Sequence, residues 1–243
     1  MRMLTFASKN TKELLRDPLN IIFSLGFPIV VLLLLSAIQS NVPVDLFAID
    51  MLAPGISVFG LSFLSLFSAT VIAKDRGSSL LQRLYTTPLT STDFILGYTL
   101  PIIPMAVAQC AICYIVSIPL GLDISVNILL AVMAIIPISV LFIALGLLCG
   151  SVFNDKQVGG VCGALLTNLT AWLSGTWFDL SLVGGAFESI SYMLPFVHAV
   201  EMERAVIAGD MMGMFPHIWW VLGYAAVILV VAVLLFLRQM RRQ

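Results

Sequence analysis

Few residues in this chain have the types and spacing that covalent or metal chemistry requires. The only two histidines, His198 and His217, lack a plausible set of further ligands. Cys110 and Cys113 have the spacing of a metal-binding pair, but both lie inside an apolar run without a second pair. We interpret all four cysteines as packing thiols. No serine, histidine and acid suggest a triad by position, so the sequence predicts neither a metal site nor catalytic residues.

The sequence also lacks groups that could energise transport. It contains no G-x-x-x-x-G-K-[ST] motif, whose backbone amides would bind the phosphates of a nucleotide. Ion-coupled carriers place ionisable residues within the membrane, whereas the apolar runs of this chain hold only neutral polar residues such as Gln109 and Asn168. If the chain moves a solute uphill, the energy must therefore come from a separate ATPase subunit.

Six apolar runs are each long enough to cross a bilayer as a helix. They comprise residues 21–40, 51–73, 94–120, 124–150, 158–178 and 218–237. A helical span needs about 20 apolar residues, and only self-bonded backbone is stable in hydrocarbon. Hydrophobic residues make up 60% of the chain and charged residues 10%. The sequence therefore predicts an all-α, polytopic membrane protein with six transmembrane helices in a single domain, residues 1–243.

The basic residues predict the orientation of these spans. With six spans, every Lys and Arg except Arg204 falls on one side of the membrane. The loops on the other side are acidic, and Glu201, Glu203 and Asp210 are counted among them. Because positive charge stays on the cytoplasmic side, we expect both termini to be cytoplasmic.

The longest cytoplasmic loop, residues 74–93, has the pattern of a short helix. Gly77 and the serines after it favour a helix start, and the Thr87-Pro88 pair ends it. Leu80, Leu81 and Leu84 fall on one face of such a helix. This leucine face would either dock to a cytoplasmic partner or lie on the bilayer.

The N-terminal segment, residues 1–19, mixes apolar residues with charges. Lys12, Leu15 and Arg16 lie near its end, which Asp17 and Pro18 mark. Two interpretations are open: an amphipathic helix on the cytoplasmic membrane surface, or a basic flank that only sets topology.

On the other side, residues 174–217 are too apolar for a plain loop. We expect short interfacial or re-entrant helices here, broken at Gly184-Gly185 and at Pro195. Two small-residue motifs, Gly146-x-x-x-Gly150 and Gly159-x-x-x-Gly163, would allow close helix packing around a tight cytoplasmic hairpin.

The fifth run has a polar side that the last run lacks. Thr167, Asn168, Thr170 and Ser174 lie along it. Unpaired amide groups are costly in hydrocarbon, so this side belongs in a transport path or against another helix. Both interpretations of Asn168 remain open.

The order of these features resembles the membrane (permease) subunit of the type 2 ATP-binding cassette (ABC) exporter family. The strongest resemblance is the segment KDRGSSLLQRLYTTPL at residues 74–89, between the second and third runs. Segments 14–19, 27–28, 94–97, 173–178 and 194–199 resemble the family in the same order. The chain differs at residues 74–76, where the family often has glutamates.

The resemblance implies how the chain would be powered. It implies two cytoplasmic ABC ATPase subunits that bind ATP and magnesium, a second permease subunit (homodimer or heterodimer), and no cofactor on this chain. The ATPase-coupling residues implied in the loop are Lys74, Asp75, Arg76, Gly77, Leu80, Leu81, Leu84, Thr87 and Pro88. Those of the N-terminal surface helix are Lys12, Leu15 and Arg16.

The implied function is export of an amphiphilic substrate, such as a drug, antibiotic, peptide or lipid, from a bacterial cell membrane. Spans one, two and five would border the path. Export of a lipid-linked polysaccharide is the alternative within the family. A channel or an intramembrane enzyme without a motor is the alternative from another class, and nothing in the sequence predicts binding to nucleic acid.

Overall fold

The computed structural model describes residues 2–43, 47–77 and 91–240, and these form helices joined by turns. We number the main helices in chain order. They are α1 (Arg2–Arg16), α2 (Ile22–Gln39), α3 (Ile49–Gly77), α4 (Ser91–Thr99), α5 (Ile102–Ser117), α6 (Val126–Val152), α7 (the consecutive stretches Asp155–Val158, Gly159–Leu166 and Thr167–Leu173), α8 (Gly185–Met193), α9 (Pro195–Ile207) and α10 (Met211–Met240).

Five helical segments in the described residues are long and apolar enough to span a membrane. They are Ile22–Gln39, Ile49–Gly77, Asp93–Leu120, Val126–Val152 and Met211–Arg238. This confirms the all-helical class. The predicted fifth run, residues 158–178, is helical in α7 only as far as Leu173, and α7 is not among these five segments. The count of six spans and the orientation of the termini stay predictions.

Helix α3 lies at the centre of the bundle. Of the most apolar 18-residue stretch of α3, 89% is buried inside the protein. The corresponding share for α2, which packs on α3 from outside, is 17%. Its contact with α6 is made at the backbone: a Cβ atom added at Gly146 would lie 2.7 Å from the carbonyl oxygen of Ser65, and one at Gly150 would lie 2.8 Å from that of Ala69. The first small-residue motif therefore joins α6 to α3.

The second small-residue motif does not make such a contact at its first glycine. A Cβ atom at Gly159 would meet nothing within 4 Å among the described residues. The predicted tight hairpin between α6 and α7 is present. Asn154 caps α7, with its side-chain oxygen 2.9 Å from the amide nitrogen of Gln157, while the Gln157 side chain accepts from the Asn154 amide at 3.1 Å.

The two ends of the bundle differ. We call the end that holds α1, the end of α3, α4 and the α6–α7 hairpin the charged end, and the other the opposite end. At the opposite end the breaks fall at the predicted glycines, where Gly184 and Gly185 have φ of +62° and +60°. Helix α9 is buried against α3, α6 and α10 rather than lying on the surface. The last helix begins at Met211, so residues 211–217 belong to it and not to the predicted connection.

Candidate coupling site and transport face

At the charged end, α1 packs on α4 through a buried aromatic contact. The ring of Phe6 meets those of Phe94 and Tyr98 edge-on, with centroids 5.5 and 5.0 Å apart. The amide of Asn10 donates to the carbonyl of Gly97 at 2.9 Å. A Cβ atom at Gly97 would overlap the Phe6 ring, so only glycine allows this approach. The apolar side of α1 is thus used for protein contact.

A buried carboxylate ties three helices together beside this contact. Asp75, at the end of α3, accepts from Lys9 of α1 at 3.1 and 3.2 Å and from the Tyr98 hydroxyl of α4 at 2.9 Å. Lys9 also pairs with Glu13 at 2.7 Å. Burial alone would lower the pKa of Lys9, but the carboxylates of Glu13 and Asp75 outweigh burial and raise it. Lys9 therefore stays charged.

The neighbouring arginine joins α3 to α6. Arg76 donates to the carbonyl of Gly150 at 2.5 Å. Lys74 and Gly77 are exposed, and so are Lys12, Leu15 and Arg16 on the side of α1 that faces away from α4. The remaining predicted coupling residues, Leu80, Leu81, Leu84, Thr87 and Pro88, lie outside the described residues, so their leucine face stays a prediction.

We expect Lys9→Glu to lower the free energy of unfolding by about 1–3 kcal/mol, because the buried Asp75 carboxylate would then face a like charge. Asp75→Lys should be destabilising for the same reason, and the double variant Lys9→Glu/Asp75→Lys should recover part of the loss, since the opposite charges are restored. Thermal unfolding in detergent, arranged as a double-mutant cycle, measures the coupling. Lys12→Glu, on the exposed side of α1, is the control and should change little. A coupling energy of zero would contradict the ion pair.

The predicted path residues of α7 do not share one face. Thr167 and Thr170 are buried, and their hydroxyls donate to carbonyls of the same helix, of Cys162 and Leu166, both at 2.9 Å. Ser174 is also buried, 2.7 Å from the Thr176 hydroxyl. Asn168 is exposed on the other side, where its amide donates to the Ala164 carbonyl at 2.7 Å. Among the described residues, Asn168 makes no side-chain hydrogen bond to another helix.

Near α7 lies a row of aromatic rings that was not predicted. Phe23 and Phe27 of α2 meet Phe63 of α3, with centroids 6.2 and 5.2 Å apart. Phe59 continues the row to Trp177, at 5.2 Å. The signal was in the sequence, because both phenylalanine pairs have the four-residue spacing that places side chains on one helix face. Phe23 and Phe27 remain partly exposed.

Comparison with models of known protein families gives a match. The model of the ABC-2 type transporter family matches residues 2–208, which includes both the charged end and α9. The chain belongs to the ABC-2 type transporter family. It is a permease, the multi-pass membrane component of an ABC transporter. No curated protein matches this chain.

In this ABC-2 permease, the opposite end holds a fully buried carboxyl group. Glu203 of α9 accepts a hydrogen bond from the Tyr114 hydroxyl of α5 at 2.8 Å, while its Oε1 has no partner among the described residues. Counting Glu203 with the exposed loop acids was wrong. Its spacing from Phe196 and Val200 places it on the apolar face of α9, and that spacing is the signal that could have located it.

Two other polar groups of the permease fix α9. Arg204, the one basic residue expected on this side, donates to the carbonyl oxygens of Met51 at 3.2 Å and Gly175 at 2.8 Å. His198 and His217 approach with their Nδ1 atoms 2.9 Å apart. Burial lowers the pKa of His198, so the neutral ring predominates at pH 7. In the described ranges, no cluster of three or more His, Cys, Asp or Glu residues could hold a metal ion.

Proposed function

We propose that this permease is half of the membrane part of an ATP-driven exporter in a cell membrane, with two ABC ATPase subunits beneath it. The observation that carries the proposal is the network around Asp75. It ties the end of α3 to Tyr98, near the C-terminal end of α4, and holds both helices, which flank residues 78–90, against α1. A force applied to the segment between these helices would reach three elements at once.

This arrangement suits a subunit driven from outside its own chain. The sequence has no nucleotide-binding loop, so ATP and magnesium belong on the ATPase subunits. The exposed cations Lys12, Arg16 and Lys74 surround the network and offer charge to a cytoplasmic partner. The charged end is therefore the proposed cytoplasmic end, in agreement with the distribution of Lys and Arg.

The proposed path runs along α2, α3 and α7, the helices that carry most of the aromatic row and Asn168. Apolar rings and an exposed amide suit an amphiphilic cargo, which needs a large apolar contact and few polar partners. Aromatic rings also stack on sugars, so a lipid-linked polysaccharide is the second candidate. The second permease subunit would cover this side, because α2 has little burial within one chain.

The decisive experiment is transport by the reconstituted complex. The permease should co-purify with an ABC ATPase, and proteoliposomes of the complex should move a fluorescent amphiphile only when ATP is present. An ATPase with its P-loop lysine replaced is the control and should abolish movement. ATP-independent movement would indicate a channel, and failure to associate with any ABC ATPase would refute the proposal.

The same assay tests the path. Asn168→Leu should leave assembly intact and change which amphiphiles stimulate ATP hydrolysis, because it removes the exposed amide on the proposed path. Loss of the assembled complex would instead assign Asn168 to the interface between permease subunits. Unchanged selectivity and assembly would exclude both roles.

A further inference from the structure

Helix α9 is tied by side-chain hydrogen bonds to several other parts of the permease. Besides Glu203 and Arg204, the amide of Asn127 at the start of α6 donates to the Ile207 carbonyl at 3.1 Å. His198 meets His217 at the start of α10. The helix therefore joins several elements at the opposite end of the bundle, and these bonds would have to break or move together if that end opened.

Two adjacent residues of α9 reach different parts of the bundle. Glu203 points to α5, where Tyr114 is its one side-chain partner among the described residues. Arg204, about 100° further round the helix, holds the first turn of α3 through Met51 and the chain after α7 through Gly175. Beside Arg204 lies a cavity of about 350 Å³, lined by Leu52, Thr176 and Trp177 among others. Trp177 is also the end of the aromatic row.

Tyr114 is connected to the charged end by one spanning segment. Helices α4 and α5 together form the segment Asp93–Leu120. Its first part is the element that Phe6 and Asn10 of α1 hold, and it directly follows the loop predicted to meet the ATPase. A displacement at that loop can thus be transmitted along one helical segment to Tyr114.

The buried carboxyl of Glu203 must keep its hydrogen bond to Tyr114, so movement of Tyr114 should displace Glu203. A buried carboxyl that loses its last partner suffers the full desolvation penalty of an unsatisfied group. Because Oε1 already lacks a partner in the described part of the chain, the Tyr114 hydroxyl is what satisfies this side chain. If α5 shifts, α9 must move with it or leave the carboxyl without any partner.

We propose that the Tyr114–Glu203 hydrogen bond links α5 to α9, and that the adjacent Arg204 converts movement of α9 into opening of the opposite end. This inference rests on the proposed function, since the ATPase supplies the movement. Tyr114 and Glu203 act as positioning residues that open an exit for cargo and need not touch the cargo themselves.

The test uses the complete complex with Leu52→Cys as a reporter, because Leu52 is buried beside the cavity and would become accessible on opening. An impermeant maleimide should label this cysteine faster when ATP is turned over. Tyr114→Phe should abolish that acceleration while association with the ATPase and the unfolding temperature are retained. The permease without Leu52→Cys measures labelling of the four native cysteines, which are all buried.

Two further variants separate linkage from packing. Tyr224→Phe is the matched control: it removes a tyrosine hydroxyl that donates to the Met193 carbonyl at 2.6 Å, at the same end but outside the link, and should retain the acceleration. Glu203→Gln keeps an acceptor for Tyr114 and should also retain it, whereas Glu203→Leu should lose it.

The outcomes are distinguishable. If labelling of Leu52→Cys is still fully accelerated by ATP in Tyr114→Phe, the link is overturned. It is also overturned if Tyr224→Phe loses the acceleration equally, or if Tyr114→Phe no longer assembles with the ATPase. The link is likewise overturned if the parent complex hydrolyses ATP and the labelling rate of Leu52→Cys does not change. A parent that never associates with an ABC ATPase refutes the proposed function instead.

Discussion

Leu81→Asp should abolish association of the permease with its ATPase while the permease still inserts and folds. The leucine face of Leu80, Leu81 and Leu84 is proposed to fill an apolar groove of the ATPase. A carboxylate buried there without a partner costs about 2–4 kcal/mol, which weakens binding roughly 30- to 1,000-fold. Leu84→Asp should act in the same way. Co-purification of the ATPase in detergent, together with its hydrolysis rate, measures the effect.

Gln82→Asp is the matched control for this experiment. It introduces the same charge into the same segment, but the helical pattern turns Gln82 away from the leucine face. Association should survive in this variant. Equal loss in both variants would mean that charge in the loop, and not the leucine face, controls docking. Full association of Leu81→Asp would leave the face lying on the bilayer, the other interpretation of its pattern.

Hydropathy predicted most of the fold because bilayer thickness and backbone hydrogen bonding leave few alternatives. The helices α2, α3, α6 and α10 all follow from their apolar runs. Helix α9 could not be placed in this way. It carries Glu201, Glu203 and Arg204, so its hydropathy predicts an interfacial or re-entrant helix and not one buried in the bundle. Its burial depends on partners in four other helices, and their positions are set by tertiary packing.

The contacts of the proposed coupling residues could not be predicted from the sequence. The run Lys74, Asp75 and Arg76 was expected to face the ATPase, yet only Lys74 is exposed. Successive residues of a helix point about 100° apart, so three adjacent charges cannot share one environment. The partner of Asp75 is Lys9, 66 residues earlier in the chain, and no local pattern could have identified it.

The polar side of α7 also shows that sequence pattern does not predict which polar residues are buried. Thr167, Thr170 and Ser174 were grouped with Asn168 by their chemistry, but all three are buried. The threonine hydroxyls donate to carbonyls of their own helix, and the Ser174 hydroxyl pairs with that of Thr176. The Asn168 amide also donates to a carbonyl of its own helix, but its side chain is exposed. Asn168 is therefore the one member of the group whose place fits a path or a subunit interface.

Gly146→Ala and Gly150→Ala should together strongly destabilise the permease. Each added Cβ atom would lie less than 3 Å from a backbone carbonyl oxygen of α3, and a backbone cannot move aside as a flexible side chain does. Overpacking of this kind costs about 1–3 kcal/mol per site. The pair would then consume much of the total stability of about 5–15 kcal/mol that is typical of folded proteins. Thermal unfolding and gel filtration in detergent measure the loss.

Gly159→Ala is the control for this prediction, because we expect it to leave the stability of the permease unchanged or to raise it. The added Cβ atom meets nothing within 4 Å in the described ranges, while alanine favours helix over glycine by up to about 1 kcal/mol. The variant should be as stable as the parent or slightly more stable. The two motifs have the same spacing and nearly the same composition, so sequence pattern alone expects the same result from both. Equal destabilisation at Gly159 would show that the contact with α3 is not the reason Gly146 and Gly150 are glycines.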